Sequence, residues 1–271
     1  MDTINRRPVG QAYSVCVFNY SQMNNFGDKL GWNLANAIIP PNFTLTYKSL
    51  PLTPDLWEAP LNNYDLILVG TGQSIFHRSL DPAFLKWLEQ AKCPKVGLFG
   101  LQYLDMIDKT LLQRLVDTLD IWFVRNKVDL EFLPKCEHTQ HVGDLLIDFF
   151  PLTKWSNDHR INIPASISKA NFDIQQLVHK FQEYKHVHSH RIHPLLCALC
   201  SADLFSFTEQ RELPDSSISG KFNKMLKDIF DREFEENIIY TNDMEKVISY
   251  KKMARQNISM INDWITERFP D

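Results

Sequence analysis

Residues 65–74 read Asp-Leu-Ile-Leu-Val-Gly-Thr-Gly-Gln-Ser. The almost wholly apolar run 65–70 has the pattern of a strand buried on both faces of a parallel sheet, where helices cover it above and below. The small residues Gly70, Thr71 and Gly72 could expose backbone N–H groups to a ligand, and a tight turn accounts for them equally well. No Lys-Ser or Lys-Thr pair follows these glycines, so the stretch is not a phosphate loop of the Walker type. It does not match a dinucleotide fingerprint either.

Outward from this strand, short apolar runs alternate with amphipathic segments. Strands are predicted over 13–19, 44–48, 95–102, 120–125 and 140–143. Helices are predicted over 28–39, where Leu30, Leu34, Ala37 and Ile38 recur at helical spacing, and over 81–91 and 110–119. Asp28 is placed as the cap of the first helix and Pro40-Pro41 as its stop. This β-α order implies a parallel sheet with helices on both faces.

The polar stretch 151–162 marks a boundary, giving an N-terminal half over residues 1–152 and a compact C-terminal half over 153–271. The second half reads as strand 161–167, helix 172–184, strand 186–190, helix 192–202 and strand 203–207. Two helices close it. One is traced by Phe222, Met225, Leu226, Ile229, Phe230 and Phe234, and the other runs over 243–269 with Val247, Tyr250, Ala254, Ile258, Ile261 and Ile265 on one stripe. The expected fold is α/β, two Rossmann-like halves with parallel sheets facing a cleft, the second half small.

Length and composition fit that reading. The chain has 271 residues, 44% hydrophobic and 23% charged, with a formal charge of −4. It lacks the basic excess of nucleic-acid binders, so no nucleic-acid partner is expected. No apolar run approaches the ~20 residues of a membrane span. The first ten residues carry no apolar signal core, and a cytoplasmic protein is expected. Five scattered cysteines argue against a disulfide framework.

Residues 185–200, Lys-His-Val-His-Ser-His-Arg-Ile-His-Pro-Leu-Leu-Cys-Ala-Leu-Cys, hold the densest chemistry. Strand alternation puts His186, His188 and His190 on one face and Val187 and Ser189 on the other. Arg191 and His193 then open an apolar helix. Free N–H groups at such a start, a guanidinium fork and an imidazole together suit an anionic ligand and proton exchange near neutral pH. A zinc site is not expected, because Cys197 and Cys200 lie among Leu195, Leu196 and Leu199 as small hydrophobes.

Further polar groups fall on the carboxyl rim of the first sheet, where open α/β sheets bind ligands. In Asn24-Asn-Phe-Gly-Asp28, Gly27 permits close backbone approach and Asn25 or Asp28 could hold a hydroxyl, with an ordinary capped turn as the plainer alternative. Arg125 ends one strand. Asp144, in His141-Val-Gly-Asp144, suits a sugar hydroxyl or a helix cap.

In order, Asn25-Phe-Gly-Asp28, the Gly-rich stretch after residues 65–69, Val124-Arg-Asn126, Val142-Gly-Asp144 and Ser189-His-Arg-Ile-His193 resemble the polysaccharide pyruvyl transferase family over residues 14–208. Arg191-Ile-His193 is similar to the family's Arg-Leu-His. The sequence departs from the family pattern in Asn126 where the family has Asp, in Thr71-Gly-Gln for a glycine triplet, and in His190 for a small hydroxyl residue.

The resemblance implies a glycosyltransferase-B-like fold and a transferase acting on a cell-surface polysaccharide precursor. The enolpyruvyl carbons of phosphoenolpyruvate would pass to sugar hydroxyls as a ketal, with phosphate released. Arg191 and His193 would be catalytic. Arg125, Arg191, His190, Gly72 and Gln73 would bind the donor, and Asn25, Gly27, Asp28 and Asp144 the acceptor. Phosphoenolpyruvate enters as co-substrate, with no cofactor or metal, and a lipid-linked acceptor would draw the protein to the inner face of the membrane. A nucleotide-sugar glycosyltransferase and a non-catalytic glycan binder stand as alternatives on the same scaffold.

Overall fold

The computed structural model describes residues 12–19, 26–49, 63–75, 77–132, 138–166, 173–212 and 217–270. The first part comprises β1 (Tyr13–Asn19), α1 (Phe26–Ile38), β2 (Phe43–Ser49), β3 (Leu66–Ile75), α2 (Pro82–Gln90), β4 (Lys95–Leu101), α3 (Lys109–Thr118), β5 (Ile121–Val124), α4 (Lys127–Phe132) and β6 (Thr139–His141). Its strands form one parallel sheet in the order β2-β1-β3-β4-β5-β6. The second part comprises β7 (Asn157–Ile163), α5 (Ile174–Gln182), β8 (Tyr184–Ser189), α6 (Ile192–Ala198), β9 (Leu204–Phe207), the short pair β10 (Arg211–Glu212) and β11 (Ser217–Ile218), α7 (Lys221–Phe230), β12 (Tyr240–Thr241) and α8 (Met244–Arg268). Here β7, β8 and β9 are parallel, and β12 joins the β9 edge antiparallel. The fold is α/β, built on two sheets.

Strand alternation divides the first sheet between two apolar layers. Val15, Val17, Leu66, Leu68, Val96, Leu98 and Phe123 face one layer, shared with α1 and α8. Cys16, Phe18, Ile67, Val69, Phe99, Trp122 and Val124 face the other, under α2 and α3. The central strands are thus buried on both faces, as the run 65–70 predicts. The second sheet keeps its apolar residues on one face. Ile163, Val187, Phe205 and Phe207 join α5, α6 and α7 in the same cluster that covers the first sheet.

Several boundaries differ from the sequence expectation. The small residues after Val69 continue β3 to Ile75, with register shifts against β4 on either side of Gly72, so they form an irregular strand rather than a turn. Gly70 takes φ +80°, a conformation glycine adopts at no steric cost. Helix α1 begins at Phe26, which puts Asp28 in its first turn and not at its cap. Strand β7 starts at Asn157, ahead of the expected 161, because only Ile163 is fully buried and an exposed edge strand shows little apolar signal. Asp173 caps α5 through Gln175 N–H, and Tyr184 already belongs to β8. Helix α6 ends at Ala198, short of the expected 202.

One apolar junction joins the two sheets. The Phe26 ring of α1 stacks on Phe150 at 5.9 Å and meets Phe181 of α5 edge-on at 5.3 Å. Helix α8 runs the length of this junction. Lys251 Nζ donates to Ile147 O at 2.8 Å, Asn257 Nδ2 to Val142 O at 2.8 Å and Asn262 Nδ2 to Ile38 O at 3.1 Å. Phe269 then packs on Tyr13 and Phe43 at 5.3 and 5.2 Å. Burying one large apolar side chain contributes about 1.5–3 kcal/mol. A net hydrogen bond contributes about 0.5–1.5 kcal/mol. The aromatic and aliphatic contacts therefore dominate the junction.

A polar seam supplements it. Phe222, Met225, Leu226 and Ile229 of α7 join the apolar cluster. Lys224 and Asp228, on the helix's other side, meet α4 and the ends of β4 and β6. Lys224 Nζ donates to Asp129 Oδ1 at 2.8 Å and to Leu101 O at 3.0 Å, and Asp228 Oδ2 lies 2.8 Å from His141 Nε2. No helix among the described residues is long and apolar enough to cross a membrane.

Ile261 of α8 is fully buried in the shared cluster. Ile261→Ala is expected to lower unfolding free energy by about 2–4 kcal/mol. Urea unfolding followed by tryptophan fluorescence and by far-ultraviolet dichroism should give one coincident transition, because both sheets share this core.

Candidate functional site

The carboxyl rim of the first sheet meets the start of α6. Arg125 follows β5 directly, and Asp144 caps the 3-10 turn Leu145–Phe149. Both side chains are almost wholly buried. Arg125 Nη2 donates to Asp144 Oδ2, and the same nitrogen lies 3.1 Å from His193 Nε2. A guanidinium has no acceptor, so Nε2 of His193 must carry the lone pair and the imidazole proton sits on Nδ1. Burial, then the positive charges of Arg125, Lys221 and Arg191, hold the His193 imidazole well below its ordinary range. It is neutral at pH 7.

Gly27 makes this arrangement possible. A Cβ there would run into the His193 ring, with the ring Cγ at 2.8 Å. The first turn of α1 can therefore lie against the first turn of α6. Asp28, one residue on, contributes negative charge to Arg191 and to Lys221. Arg191 is the N-cap of α6, and its Nε donates to Ala165 O at 2.8 Å. The helix itself is only seven residues long and has Pro194, which lacks an N–H, in its first turn. An anion at this place would therefore meet side chains more than the helix terminus expected from the sequence.

Two atoms of Arg125 stand out. Its Nε and Nη1 are buried and have no hydrogen-bond partner among the described residues, and Thr71 Oγ1 in the middle of β3 is in the same state. Leaving a buried donor unsatisfied costs about 1–3 kcal/mol, more for a charged group. Guanidinium nitrogens left open at the carboxyl edge of a sheet suit a phosphate or a carboxylate.

Lys221 and Glu209 were not legible as site residues. Lys221 opens α7, lies almost wholly buried, and donates through Nζ to Gln210 Oε1. Burial comes first, with Arg191 next, in pulling its ammonium down to about 7. Glu209 Oε1 accepts from the N–H groups of Phe222 and Asn223 at 3.0 and 3.2 Å, and Oε2 accepts from Ser219 Oγ at 2.8 Å. The backbone contact from Tyr103 N to Ser219 O, 3.2 Å, fixes this helix start beside the end of β4. In the sequence, Gly220-Lys221 at the head of an amphipathic helix was the available signal.

Behind the site, Tyr250 of α8 receives the Asp144 N–H at 2.6 Å on its hydroxyl oxygen. Burial and the carboxylates of Asp228 and Asp144 push this phenol well above its ordinary range, so it stays protonated. Asp144 thus has Oδ2 on Arg125, Oδ1 on Leu146 N–H and its own N–H on Tyr250. Its observed work is to cap a turn and neutralise Arg125, which leaves little of it for a sugar hydroxyl.

The other sequence-predicted residues fall as follows. His190 lies at the end of β8 with its ring edge-on to His188 at 5.0 Å, on the histidine face of the second sheet. His188 bonds Ser206 Oγ through Nδ1 at 2.9 Å and Thr208 Oγ1 through Nε2 at 3.2 Å, and burial lowers it to about 4. Gly72 is paired in register with Phe99 inside β3. Asn25 and the Gln73 side chain lie outside the described residues. Cys197 and Cys200 are buried in the apolar core, and burial pushes the Cys200 thiol up to about 12. No group of three or more metal-ligating residues occurs among the described residues.

No family model matches the chain, and no curated protein matches it in sequence. Among solved structures it is similar to an α-glucosyltransferase in complex with UDP and a 13-mer DNA containing an HMU base, with 12% identity, TM-score 0.42 and coverage of 94% of each chain. It is also similar to an α-glucosyltransferase in complex with UDP, with 9% identity, TM-score 0.40 and coverage of 95% of this chain and 96% of that one. The architecture described above rests on the chain's own strand order and packing, and likenesses of this size add nothing to it on the chemistry.

Two measurements check the site's electrostatics. Asp144→Ala strands Arg125 as a buried charge and is expected to cost about 3–5 kcal/mol of stability by urea unfolding. Lys221 is depressed from 10.5 to about 7 in the folded chain, so the unfolded chain binds more protons between those values. Stability should therefore rise with pH across that window, with a slope of up to about 1.4 kcal/mol per unit. In Lys221→Met this contribution should vanish from the wild-type curve.

Proposed function

We propose that this cleft is the donor site of a transferase that takes phosphoenolpyruvate and builds a pyruvyl ketal on a pair of sugar hydroxyls. The observation that carries the reading is the buried Arg125 guanidinium, held on one side by Asp144 and His193 and unsatisfied at Nε and Nη1. Arg191 and Lys221 bring two further positive charges to the same place. Phosphoenolpyruvate carries a phosphate and a carboxylate on one small carbon frame, each a partner for an arginine fork. Fixed cations of this kind also stabilise the phosphate as it leaves.

His193 fits the task of receiving a hydroxyl proton. Alone among three cations it is a poor base. The negative charge of a bound donor offsets those cations and restores its basicity when the donor is in place. The acceptor is a glycan presented to the carboxyl rim near Asp28, consistent with the resemblance to pyruvyl transferases in Asn25-Phe-Gly-Asp28 and Arg191-Ile-His193. A nucleotide-sugar donor would set two phosphates on the same cations, and the binding experiment separates the two readings.

Phosphoenolpyruvate is expected to raise the thermal midpoint of the wild-type protein, since a ligand of the folded state alone adds to its stability. Arg191→Ala removes a charge-assisted contact whose loss costs about 2–5 kcal/mol when desolvated. That corresponds to an affinity about 30-fold weaker or more. Phosphate release from phosphoenolpyruvate with lipid-linked or nucleotide-linked glycans should fall in step. Stabilisation by nucleotide sugars alone, with Arg191-dependent consumption of the sugar donor, would replace pyruvyl transfer by glycosyl transfer.

A further inference from the structure

The ionisable groups of the cleft differ in what they can do with a proton. Arg125 and Arg191 are guanidiniums, which remain charged in proteins. His193 is neutral, and its Nε2 lone pair already accepts from Arg125. Asp144 accepts from Arg125 and from Leu146 N–H, and Glu209 accepts from Ser219, Phe222 and Asn223.

Lys221 stands apart from all of these. Its buried side chain extends from the first residue of α7, and among the described residues Nζ has Gln210 Oε1 as its hydrogen-bond partner. An ammonium has three donor positions, so two remain for a ligand. The charged groups that face it come from each surrounding element: Arg191 at the cap of α6, Arg125 after β5, Glu209 after β9 and Asp28 on α1. His193 of α6 feels its charge in turn. Burial beside two guanidiniums leaves this ammonium balanced between charged and neutral near pH 7, which a permanently charged anchor would not be.

We propose that Lys221 is the proton donor of this cleft, meeting the anionic donor as an ammonium and delivering its proton to the methylene carbon of phosphoenolpyruvate. The assignment rests on the donor reading given above. The C2–C3 π pair takes the Nζ proton and forms the methyl C–H bond, leaving an oxocarbenium centre at C2. The first sugar hydroxyl oxygen bonds to C2, and its proton passes to His193, which hands it on to the now neutral amine and restores the ammonium. The C2–O bond to phosphate then breaks. The second hydroxyl closes the ketal, and its proton leaves with the phosphate as hydrogen phosphate. Every proton is accounted for, and no oxidant or reductant is required.

Sulfate tests the proton inventory without needing the reaction, because it keeps two negative charges across the relevant pH range and does not itself titrate there. Calorimetric titration of the full chain at pH 8, in buffers of different ionisation enthalpy, is expected to show proton uptake when sulfate binds. Lys221→Met should abolish that uptake, and Lys221→Arg should bind sulfate without it. His193→Gln should leave it in place. With phosphoenolpyruvate and an active acceptor, Lys221→Arg should keep donor binding and lose turnover by about 100-fold or more. Sulfate binding without uptake in the wild type, or uptake that survives Lys221→Met and disappears in His193→Gln, overturns the assignment. Failure of the donor reading looks different, as uptake intact in the wild type but no phosphate released with any glycan. A wild type that binds no sulfate overturns both. Should Lys221→Arg fold poorly, Lys221→Met, a neutral side chain suited to a buried position, still decides the uptake.

Discussion

The first turn of α1 lies so close to the first turn of α6 that only a residue without a side chain fits at position 27, against the His193 ring. That approach brings the carboxyl rim of one sheet to the carboxyl rim of the other. From it follow the neighbourhood of Arg125, Asp144 and His193, the charge contact of Asp28 with Arg191, and the reach of Lys221 into the same space. A bulkier residue at 27 would push the two helix starts apart. The chemistry of the cleft would then be lost even with every ionisable residue still present.

Holding Arg125 and Lys221 out of water beside the half-buried Arg191 is costly, and the structure offsets that cost unevenly. Asp144 neutralises Arg125 through one edge of its guanidinium. Glu209 spends both carboxylate oxygens on the start of α7 and on Ser219, so it fixes the helix that carries Lys221 without forming a tight pair with the lysine. The result is a buried positive cluster in which two Arg125 nitrogens have no hydrogen-bond partner among the described residues. In such surroundings an imidazole and an ammonium are both forced toward their neutral forms, and an arriving anion reverses the pressure on both. Binding and proton movement are therefore coupled by the same burial.

The apolar junction keeps this recess in register. Phe26, Phe150 and Phe181 form its centre, and α8 spans it from Val247 to Phe269. The polar seam of Lys224 with Asp129 and Asp228 with His141 adds direction more than strength, since each buried charge must be met at a fixed point. Helix α7 thus has an apolar side tied to the second sheet and a charged side tied to the first, and Lys221 extends from the end of that bridge.

Much of the architecture follows from local pattern. The run 65–70, the alternation in residues 13–19 and the stripe of the last helix gave the buried strands and the helix that fastens the sheets, because period and burial are set by the immediate sequence. Arg191, His193, Arg125 and Gly27 were legible as rim residues for the same reason, each lying at a strand end or helix start. Edge strand β7 and the irregular end of β3 were not, since an exposed edge carries little apolar signal and a glycine-rich run reads alike as strand or turn. What tertiary structure alone decided is which rim groups meet. It gave Asp144 to Arg125 and Tyr250, and brought Lys221 and Glu209 in from beyond the second sheet. The two Asp144 pairings reach across 19 and 106 positions of the chain, and the charge states of the rim come from burial created only when the two sheets close on one core.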